Sequence, residues 1–434
     1  MELLNVRRSG PLALLLFGVL VPANAAGPIT LAVPGRSNAN VSMAADGSLI
    51  AVVWSAATAA GEPDIYAATS RDSGATFSSP TRVNSRAGEA SVNGEQAPRV
   101  ALVRRGGGLE MAVLWTAKHA AGTALLTARS TDAGRAFSPA SPVPGTDAPG
   151  NRGWEAIGSD GTGRVHAVWL DHRRLAQQDS RVSAMHHHGR ENGVASMMTP
   201  KPNGLAMAQL SQLYFTTLDG SSPSRPVTES VCYCCKTAIA SGGAGGLYLA
   251  WRHVYPGNIR DIAFTSSTDG GRTFAAPIRV SEDRWTIDGC PEDGPAMAVD
   301  GLGRVHVIWS TVLSEHGEPG KALFHAMSRD GRSFSARERI PTAGIPRHPQ
   351  LAIASDEAVA VVWDEAGDGM RRIASTLGVA EESGRIRFQR QPWSASEPGV
   401  YPAIVATGDG LLAAWTTGPP ATSTVRVQQF ERSF

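Results

Sequence analysis

The sequence has almost no excess of either charge. Its 40 Lys and Arg residues nearly balance its 39 Asp and Glu residues, which gives a formal net charge of +1. No block of basic residues stands out, so the positive surface by which proteins hold nucleic acid is missing. A nucleic-acid partner is therefore not expected.

Long apolar runs are also scarce. The run from Leu12 to Val21 is too short to span a bilayer as a stable anchor, and no later run is long enough either. It follows Arg7 and Arg8 and precedes Ala23-Asn24-Ala25, an order that fits a plain secretory signal better than a twin-arginine signal. We expect residues 1–25 to be removed, leaving a periplasmic or secreted protein with no transmembrane anchor.

Cysteine is rare, and its distribution is uneven. The chain of 434 residues has four cysteines, of which Cys232, Cys234 and Cys235 fall within four residues and Cys290 lies downstream. A disulfide scaffold does not require such spacing. The cluster therefore needs a separate explanation, which depends on where the fold places it.

A repeat runs through the chain. Short apolar strands end in Trp seven times, and most follow an Asp-Gly turn of the kind that joins two strands of a hairpin. The tryptophans are Trp54, Trp115, Trp169, Trp251, Trp309, Trp363 and Trp415.

A second motif follows the strand after several of these tryptophans. In it, Ser and Asp side chains can bond the backbone of a turn while Gly supplies a positive φ. The four examples are Ser70 to Phe77, Ser130 to Phe137, Ser267 to Phe274 and Ser328 to Phe334. This motif resembles the Asp-box, or bacterial neuraminidase repeat, of the sialidase superfamily, and the resemblance extends over nearly all of the mature chain.

The repeats predict an all-β fold, a β-propeller of four-stranded antiparallel blades in one domain over residues 26–434. Seven Trp strands favour seven blades, although the sialidases that the motif resembles have six. The last repeat has three strands after Tyr401. A strand from Ile29 to Val33 can supply the fourth and close the ring.

Propeller geometry sorts the loops between two faces. The loops that lead into each inner strand share a face with those joining the second and third strands. An insertion at about 171–210 lies on this face, together with the loops Cys232 to Lys236, Arg252 to Asp261 and Asp283 to Asp293. A loop as long as the insertion is usually functional or disordered. Because these loops belong to consecutive blades, we expect them to meet in one candidate site.

The thiols in this site have two interpretations. In an oxidising compartment four cysteines can form two structural disulfides, but adjacent Cys234 and Cys235 would make a strained pair. If Cys290 takes one partner from the next blade, two thiols remain. Such thiols near His and Met residues favour cuprous copper, with zinc second, or redox chemistry. The candidate ligands are Cys232, Cys234, Cys235, Cys290, His186, His187, His188 and His253.

Charged and aromatic side chains of the same loops can bind an anion or a sugar, or can pair with one another as supports. They are Arg252, Tyr255, Arg260, Trp285, Asp288, Glu292 and Asp293.

The sialidase resemblance implies another set of residues. Sialidases hold the carboxylate of sialic acid with three arginines, and they use a Tyr nucleophile with a Glu partner and an Asp acid/base. Matching positions are Tyr401, Arg36, Arg99, Arg347 and, as the acid, Asp64. The chain departs from that pattern because no Glu can be matched to the Tyr and because the cysteine loop is foreign to it.

Three hypotheses follow. The first is an exported propeller that binds a metal, with copper favoured, or performs thiol redox work. The second is an exo-sialidase type of glycoside hydrolase acting on sialic acid or a related acidic sugar, with no cofactor. The third is a non-catalytic propeller that binds a glycan or a protein.

Overall fold

A computed structural model describes residues 27–178, 203–220, 223–315, 318–391, 398–408 and 410–430. These residues form seven separate antiparallel sheets of four strands each. The expected signal peptide and His186, His187 and His188 lie outside the described residues. No helix within the described ranges has the length and apolar character needed to cross a membrane.

Each sheet is one blade, and its first strand lines the centre of the ring. The seven inner strands are β2 (Ser37–Asp46), β6 (Arg99–Arg105), β10 (Arg152–Ser159), β14 (Ala238–Ser241), β18 (Ala296–Val299), β22 (Ile345–Ile353) and β26 (Val400–Thr407). The second strands are β3 (Leu49–Ala57), β7 (Gly108–His119), β11 (Val165–Asp171), β15 (Leu247–Arg252), β19 (Val305–Glu315), β23 (Val359–Gly367) and β27 (Gly410–Thr417).

The two outer strands of each blade are shorter on average. The third strands are β4 (Pro63–Ser70), β8 (Gly122–Ser130), β12 (Gln212–Thr217), β16 (Ile262–Ser267), β20 (Glu318–Ser328), β24 (Met370–Ala380) and β28 (Thr424–Gln429). The outermost strands are β5 (Thr81–Arg82), β9 (Ser141–Pro142), β13 (Arg225–Glu229), β17 (Ile278–Arg279), β21 (Glu338–Ile340), β25 (Ile386–Gln391) and β1 (Ile29–Leu31). A helix, Gly204–Leu210, precedes β12.

The ring is closed by the N-terminal strand. Strand β1 pairs antiparallel with β28, with Ile29 opposite Val427 and Leu31 opposite Val425. The last blade thus takes its outer strand from residues 29–31, and closure leaves no open edge in the ring. The prediction of a seven-bladed propeller closed in this way is confirmed.

The repeated tryptophans form the core between blades. All seven lie on second strands, and each is 0 or 1% exposed. In the first blade Trp54 packs with Val52, Leu412 and Val427, so a single cluster joins the first blade to the last. Burial of such large side chains is the main force that holds neighbouring blades together.

The four Ser-x-Asp segments connect third and fourth strands. In the first of them the Ser70 hydroxyl donates to Asp72 Oδ1 at 2.7 Å, and Gly74 N–H donates to Ser70 Oγ at 2.8 Å. Gly74 has φ +92°, which explains the glycine at this position. The same two bonds recur in the other three segments, so the motif is a structural turn.

Several inner strands begin irregularly, and this irregularity shapes the candidate site. β-Bulges interrupt the register near the starts of β2, β10, β22 and β26. Each contains a residue other than glycine with positive φ, namely Asn40 (57°), Trp154 (52°), His348 (53°) and Tyr401 (52°). A bulge redirects side chains, and positive φ outside glycine is uncommon, so these positions mark a specialised end of the ring.

Candidate functional site

A small cavity opens at this specialised end, on the axis of the propeller. Its wall includes Glu95, Arg99, Lys236, His348 and Tyr401. These residues belong to four blades or the loops that lead into them, so the ring closure brings them together. We call this cavity the hub site.

Tyr401 is held in the hub site as a neutral phenol. Burial raises the pKa of Tyr401 to about 12, and the negative charges of Glu292 and Asp364 contribute, whereas Arg371 opposes them. Its backbone N–H donates to Asp364 Oδ1 at 3.3 Å. The hydroxyl therefore keeps its proton near neutral pH and can donate it.

His348 packs against the Tyr401 ring. The ring centroids lie 4.2 Å apart, with an interplanar angle of 34°. His348 Nδ1 lies 2.5 Å from Asp364 Oδ1, while the backbone N–H of His348 donates to Asp293 Oδ1 at 3.1 Å. These contacts fix both the ring and its backbone.

The Asp364 contact selects the tautomer of His348. An ionised Asp364 accepts the proton on Nδ1, which leaves the lone pair on Nε2. His348 Nε2 is buried and has no hydrogen-bond partner among the described residues. Arg371 Nη1 lies 3.1 Å from Asp364 Oδ2 and supports the ionised carboxylate. Nε2 is therefore free to take a proton from a ligand.

Gly94 separates Glu292 from the Tyr401 hydroxyl. A Cβ added at Gly94 would lie 2.8 Å from Glu292 Oε1 and 3.2 Å from the Tyr401 hydroxyl oxygen. Gly94 also has φ +49°, and its carbonyl accepts a hydrogen bond from Asn40 Nδ2 at 3.0 Å. The carboxylate and the phenol thus face one methyl-sized space that a glycine keeps open.

The base of the hub site is formed by buried charged groups of opposite sign that lie close to one another. Glu95 accepts hydrogen bonds from the backbone N–H groups of Lys236, at 3.1 Å, and Gly294, at 3.0 Å. Lys236 Nζ donates to the Pro349 carbonyl at 2.7 Å and lies 3.8 Å from Glu95 Oε1. Burial lowers the pKa of Lys236, although the Glu95 charge opposes that effect.

Arg99 completes this base. Its Nη2 donates to the Glu95 carbonyl and its Nε to the Glu155 carbonyl, both at 2.8 Å. Burial raises the pKa of Glu155, whose Oε2 accepts from the Thr116 hydroxyl at 3.0 Å. Arg99 is therefore held by backbone carbonyls at the wall of the hub site.

The three arginines of the sialidase pattern are not gathered around one ligand. Arg36 Nη1 donates to Asp64 Oδ2 at 2.8 Å in the first blade, away from the residues that line the hub site. Asp64 also accepts hydrogen bonds from Asn84 and from the backbone N–H of Gly88. Burial raises the pKa of Asp64, but these bonds and Arg36 outweigh burial and lower the pKa overall. Arg347 is half-buried at the bulge beside His348.

Most of the predicted ligand-binding residues support the loops. Arg252 donates to the carbonyls of Asp293, Arg260 and Ser310 and lies over the Trp285 ring at 4.8 Å. The Tyr255 ring lies under the Arg279 guanidinium at 3.8 Å. Asp288 lies against the helix residue Gly204. Glu292 lies opposite Tyr401.

The cysteine cluster lies directly beside the hub site, because Lys236 follows Cys235. Cys234 and Cys290 form a disulfide, while Cys232 and Cys235 are free and buried. The sulfurs of Cys232, Cys234 and Cys235 lie within 4.8 Å of one another, and no described His, Asp or Glu joins that group. His253 instead packs on Tyr255, with ring centroids 4.5 Å apart.

The two free thiols differ in their surroundings. Burial raises the pKa of Cys232, but hydrogen bonds with Cys235 and Cys234 and the charges of Arg252 and Arg260 together lower it. Burial and the neighbouring Cys232 raise the pKa of Cys235 well above its usual value.

The His348–Asp364 pair was not predicted from the sequence, although one signal for it existed. Asp364 directly follows Trp363, and it is the one acidic residue to follow a repeat tryptophan. His348 carried no such signal, because its role depends on a bulge that turns it toward the axis.

No family model and no curated protein matches the chain. Solved structures do match. An ulvan lyase of polysaccharide lyase family PL25, bound to -[GlcA(1-4)Rha3S]-, has 11% identity and a TM-score of 0.52, with 94% of this chain and 96% of that chain covered. The polysaccharide lyase Uly1 has 9% identity and a TM-score of 0.52, with coverage of 91% and 90%. A Trypanosoma rangeli sialidase has 12% identity and a TM-score of 0.42, with coverage of 90% and 54%. The chain is therefore a β-propeller that shares its fold with these polysaccharide lyases.

Proposed function

We propose that the protein is a polysaccharide lyase, an enzyme that cleaves an acidic glycan by β-elimination. One observation carries this proposal: the His348–Asp364 pair leaves Nε2 free directly beside the neutral phenol of Tyr401. A base and an acid at one position are what an elimination requires.

The elimination on a uronate divides between these two side chains. His348 Nε2 takes the proton from the carbon next to the carboxylate. The electron pair of that C–H bond forms a carbon–carbon double bond as the C–O bond to the leaving sugar breaks. Tyr401 gives its proton to the departing oxygen, and solvent restores both protonation states. The reaction needs no water as a reactant and no cofactor.

Cationic groups at the hub site suit an anionic substrate. Negative charge moves onto the uronate carboxylate as the proton leaves, and nearby cations lower the energy of that state. The Lys236 ammonium lines the cavity, and Arg371, whose side chain is 29% exposed, lies beside Asp364 and acts on the pKa of Tyr401. These two groups are proposed to bind the carboxylate.

The shared fold supports the same substrate class. The ulvan lyase structure with a TM-score of 0.52 contains glucuronic acid linked to sulfated rhamnose. Both sugars are anionic. We therefore propose a uronate-containing polysaccharide as the substrate of this chain.

A second candidate is glycoside hydrolysis of the sialidase type. It is favoured by Glu292 and Tyr401, which face each other across Gly94 as a Glu partner and a Tyr nucleophile would. It is disfavoured by the separate placement of Arg36, which pairs with Asp64. Elimination, in contrast, gives a role to the contacts of His348 with both Asp364 and Tyr401.

A substrate panel distinguishes these functions. The panel contains uronate polysaccharides and a sialoside, and both ultraviolet absorbance of a new double bond and new reducing ends are measured. We expect both signals on a uronate polymer, with a large loss in Tyr401→Phe and none in the control Tyr248→Phe. Tyr248 lies on the second strand β15, where it stacks on Phe264, and it does not line the hub site. Reducing ends without a double bond would favour the hydrolase. Binding without cleavage of any substrate would favour the non-catalytic propeller.

A further inference from the structure

Two thiols of the cysteine cluster lie in contact without a role in the hub site. The Sγ atoms of Cys232 and Cys235 are 2.7 Å apart, and the side chains are 1% and 2% exposed. Cys234 lies between them in the sequence, but its sulfur is bonded to Cys290. Cys232 and Cys235 are therefore each other's available partners among the described cysteines.

We propose that Cys232 and Cys235 form a redox-active dithiol that closes and opens a second disulfide beside the Cys234–Cys290 disulfide. The sulfurs are already closer than two unbonded sulfur atoms normally approach, so closure requires little movement of the backbone. Their spacing is C-x-x-C, which is typical of dithiols that exchange between two oxidation states. This proposal goes beyond glycan cleavage and does not depend on it.

Buried positive charge favours reaction at Cys232. Arg252 and Arg260 are 1% and 0% exposed, and the backbone N–H of Cys232 donates to the Arg252 carbonyl at 2.9 Å. The Nη1 and Nη2 atoms of Arg260 have no hydrogen-bond partner among the described residues. A guanidinium without a carboxylate partner stabilises a nearby thiolate, the reactive form of cysteine. Cys232 is thus the attacking sulfur, and Cys235 the resolving one.

The burial of both sulfurs selects a small oxidant, and a peroxide is the class we assign. The Cys232 thiolate attacks one peroxide oxygen, the O–O bond breaks, and Cys232 becomes a sulfenic acid as hydroxide leaves. The Cys235 sulfur then attacks the Cys232 sulfur, its proton and the sulfenic hydroxyl leave as water, and the disulfide forms. In total two thiols and one hydrogen peroxide give one disulfide and two waters. A small dithiol reverses the reaction by exchange.

Differential alkylation of the purified, intact protein tests the proposal. The native protein is treated with mild dithiothreitol, then with hydrogen peroxide, and then with a second reduction. A sample from each stage is alkylated in denaturant, so that buried thiols react, and the labelled peptides are identified by mass spectrometry. We expect two labelled thiols per chain, Cys232 and Cys235, to be lost with peroxide and restored by reduction. Cys234 and Cys290 stay unlabelled throughout. In Cys235→Ser a sulfenic acid should be trapped at Cys232.

Three results would overturn the proposal. Cys232 and Cys235 that stay unlabelled after dithiothreitol, although the alkylating reagent is added in denaturant, indicate two permanent disulfides. Thiols that label but resist peroxide, with copper or zinc bound to the protein, indicate a metal site at the cluster. A disulfide that joins Cys232 or Cys235 to Cys290 indicates a different pairing. The wild-type labelling needs no folded variant and no substrate, so it is independent of the test for glycan cleavage.

Discussion

The imidazole of His348 lies against the phenol of Tyr401 with the ring centroids 4.2 Å apart, although the two residues lie near the starts of inner strands in different blades. Asp364, from the second strand of the same blade as His348, contacts both residues. This arrangement joins a proton acceptor, its orienting carboxylate and a proton donor at the propeller axis.

Replacement of Asp364 by Asn should remove the orientation of His348. The amide cannot accept the Nδ1 proton as the carboxylate does, so the lone pair of His348 Nε2 is no longer guaranteed. We expect the rate of glycan cleavage to fall about 100- to 10,000-fold. The matched control is Asp160→Asn, because Asp160 contacts His166 Nε2 at 2.9 Å outside the hub site. Equal rates in wild type and Asp364→Asn would remove His348 as the base.

A side chain at position 94 should block the hub site. In Gly94→Ala the new Cβ would lie 2.8 Å from Glu292 Oε1 and 3.2 Å from the Tyr401 hydroxyl oxygen, so both groups must shift. The control Gly35→Ala has a comparable backbone cost, because Gly35 has φ +72°, but no atom lies within 4 Å of its added Cβ.

Each variant should lose about 1 kcal/mol of folding free energy because of the positive φ. Activity should be lost in Gly94→Ala alone. Unfolding curves and cleavage rates measured on both proteins check this prediction, and an active Gly94→Ala protein would place the reaction elsewhere.

The raised pKa of Tyr401 predicts that cleavage activity persists at alkaline pH. Because burial raises this pKa to about 12, the phenol should still donate its proton at about pH 10, where an ordinary tyrosine is half ionised. Cleavage rates should be measured from about pH 7 to about pH 10 on a stable uronate polymer. The rate should not fall at about pH 10, the pKa of an ordinary phenol. Such a loss, present in wild type and absent in Tyr401→Phe, would contradict the neutral-donor role.

Acid should destabilise the fold through buried histidines. Burial lowers the pKa of His172 and His253 to about 4 and that of His325 to about 3, against the usual 6.5. Below about pH 6.5 the unfolded chain therefore binds protons that the folded chain does not, and stability falls as pH decreases.

Each such histidine contributes at most about 1.4 kcal/mol per pH unit in that window. Urea unfolding at about pH 7.5 and about pH 5.5 should show a lower midpoint at the acidic value. His325→Asn removes one titrating group and should reduce the difference between the two pH values. An unchanged midpoint would show that these histidines are accessible to protons in the folded chain.

The fold could be predicted from the repeat. The site could be predicted only in part, because it depends on how loops from different blades converge. Seven tryptophans, each with the same local pattern, required the same blade seven times, and closure by residues near Ile29 followed from the three strands after Tyr401. Arg99 and Tyr401, which the sialidase resemblance matched to site residues, lie at the starts of inner strands and line the hub site. Arg36 also leads into one, but it turns outward to Asp64.

The remaining site residues could not be found by position alone. His348 reaches Tyr401 because its own bulge gives it φ +53°, and sequence patterns do not specify which inner strands bulge. Pairing of Cys290 with Cys234, and not with Cys232 or Cys235, likewise depends on where the turn after Cys232 directs each sulfur. Both features arise from local backbone geometry at the junction of blades.

Cleavage of a uronate oligosaccharide in heavy-oxygen water tests the central claim most directly. Elimination breaks the bond between the leaving oxygen and the uronate ring carbon, so no solvent oxygen enters either product. Hydrolysis adds a solvent oxygen to one product. Mass spectrometry soon after mixing, before the free reducing end exchanges, should therefore show unlabelled products and an unsaturated sugar at the new end. A labelled, saturated product would contradict the elimination by His348 and Tyr401.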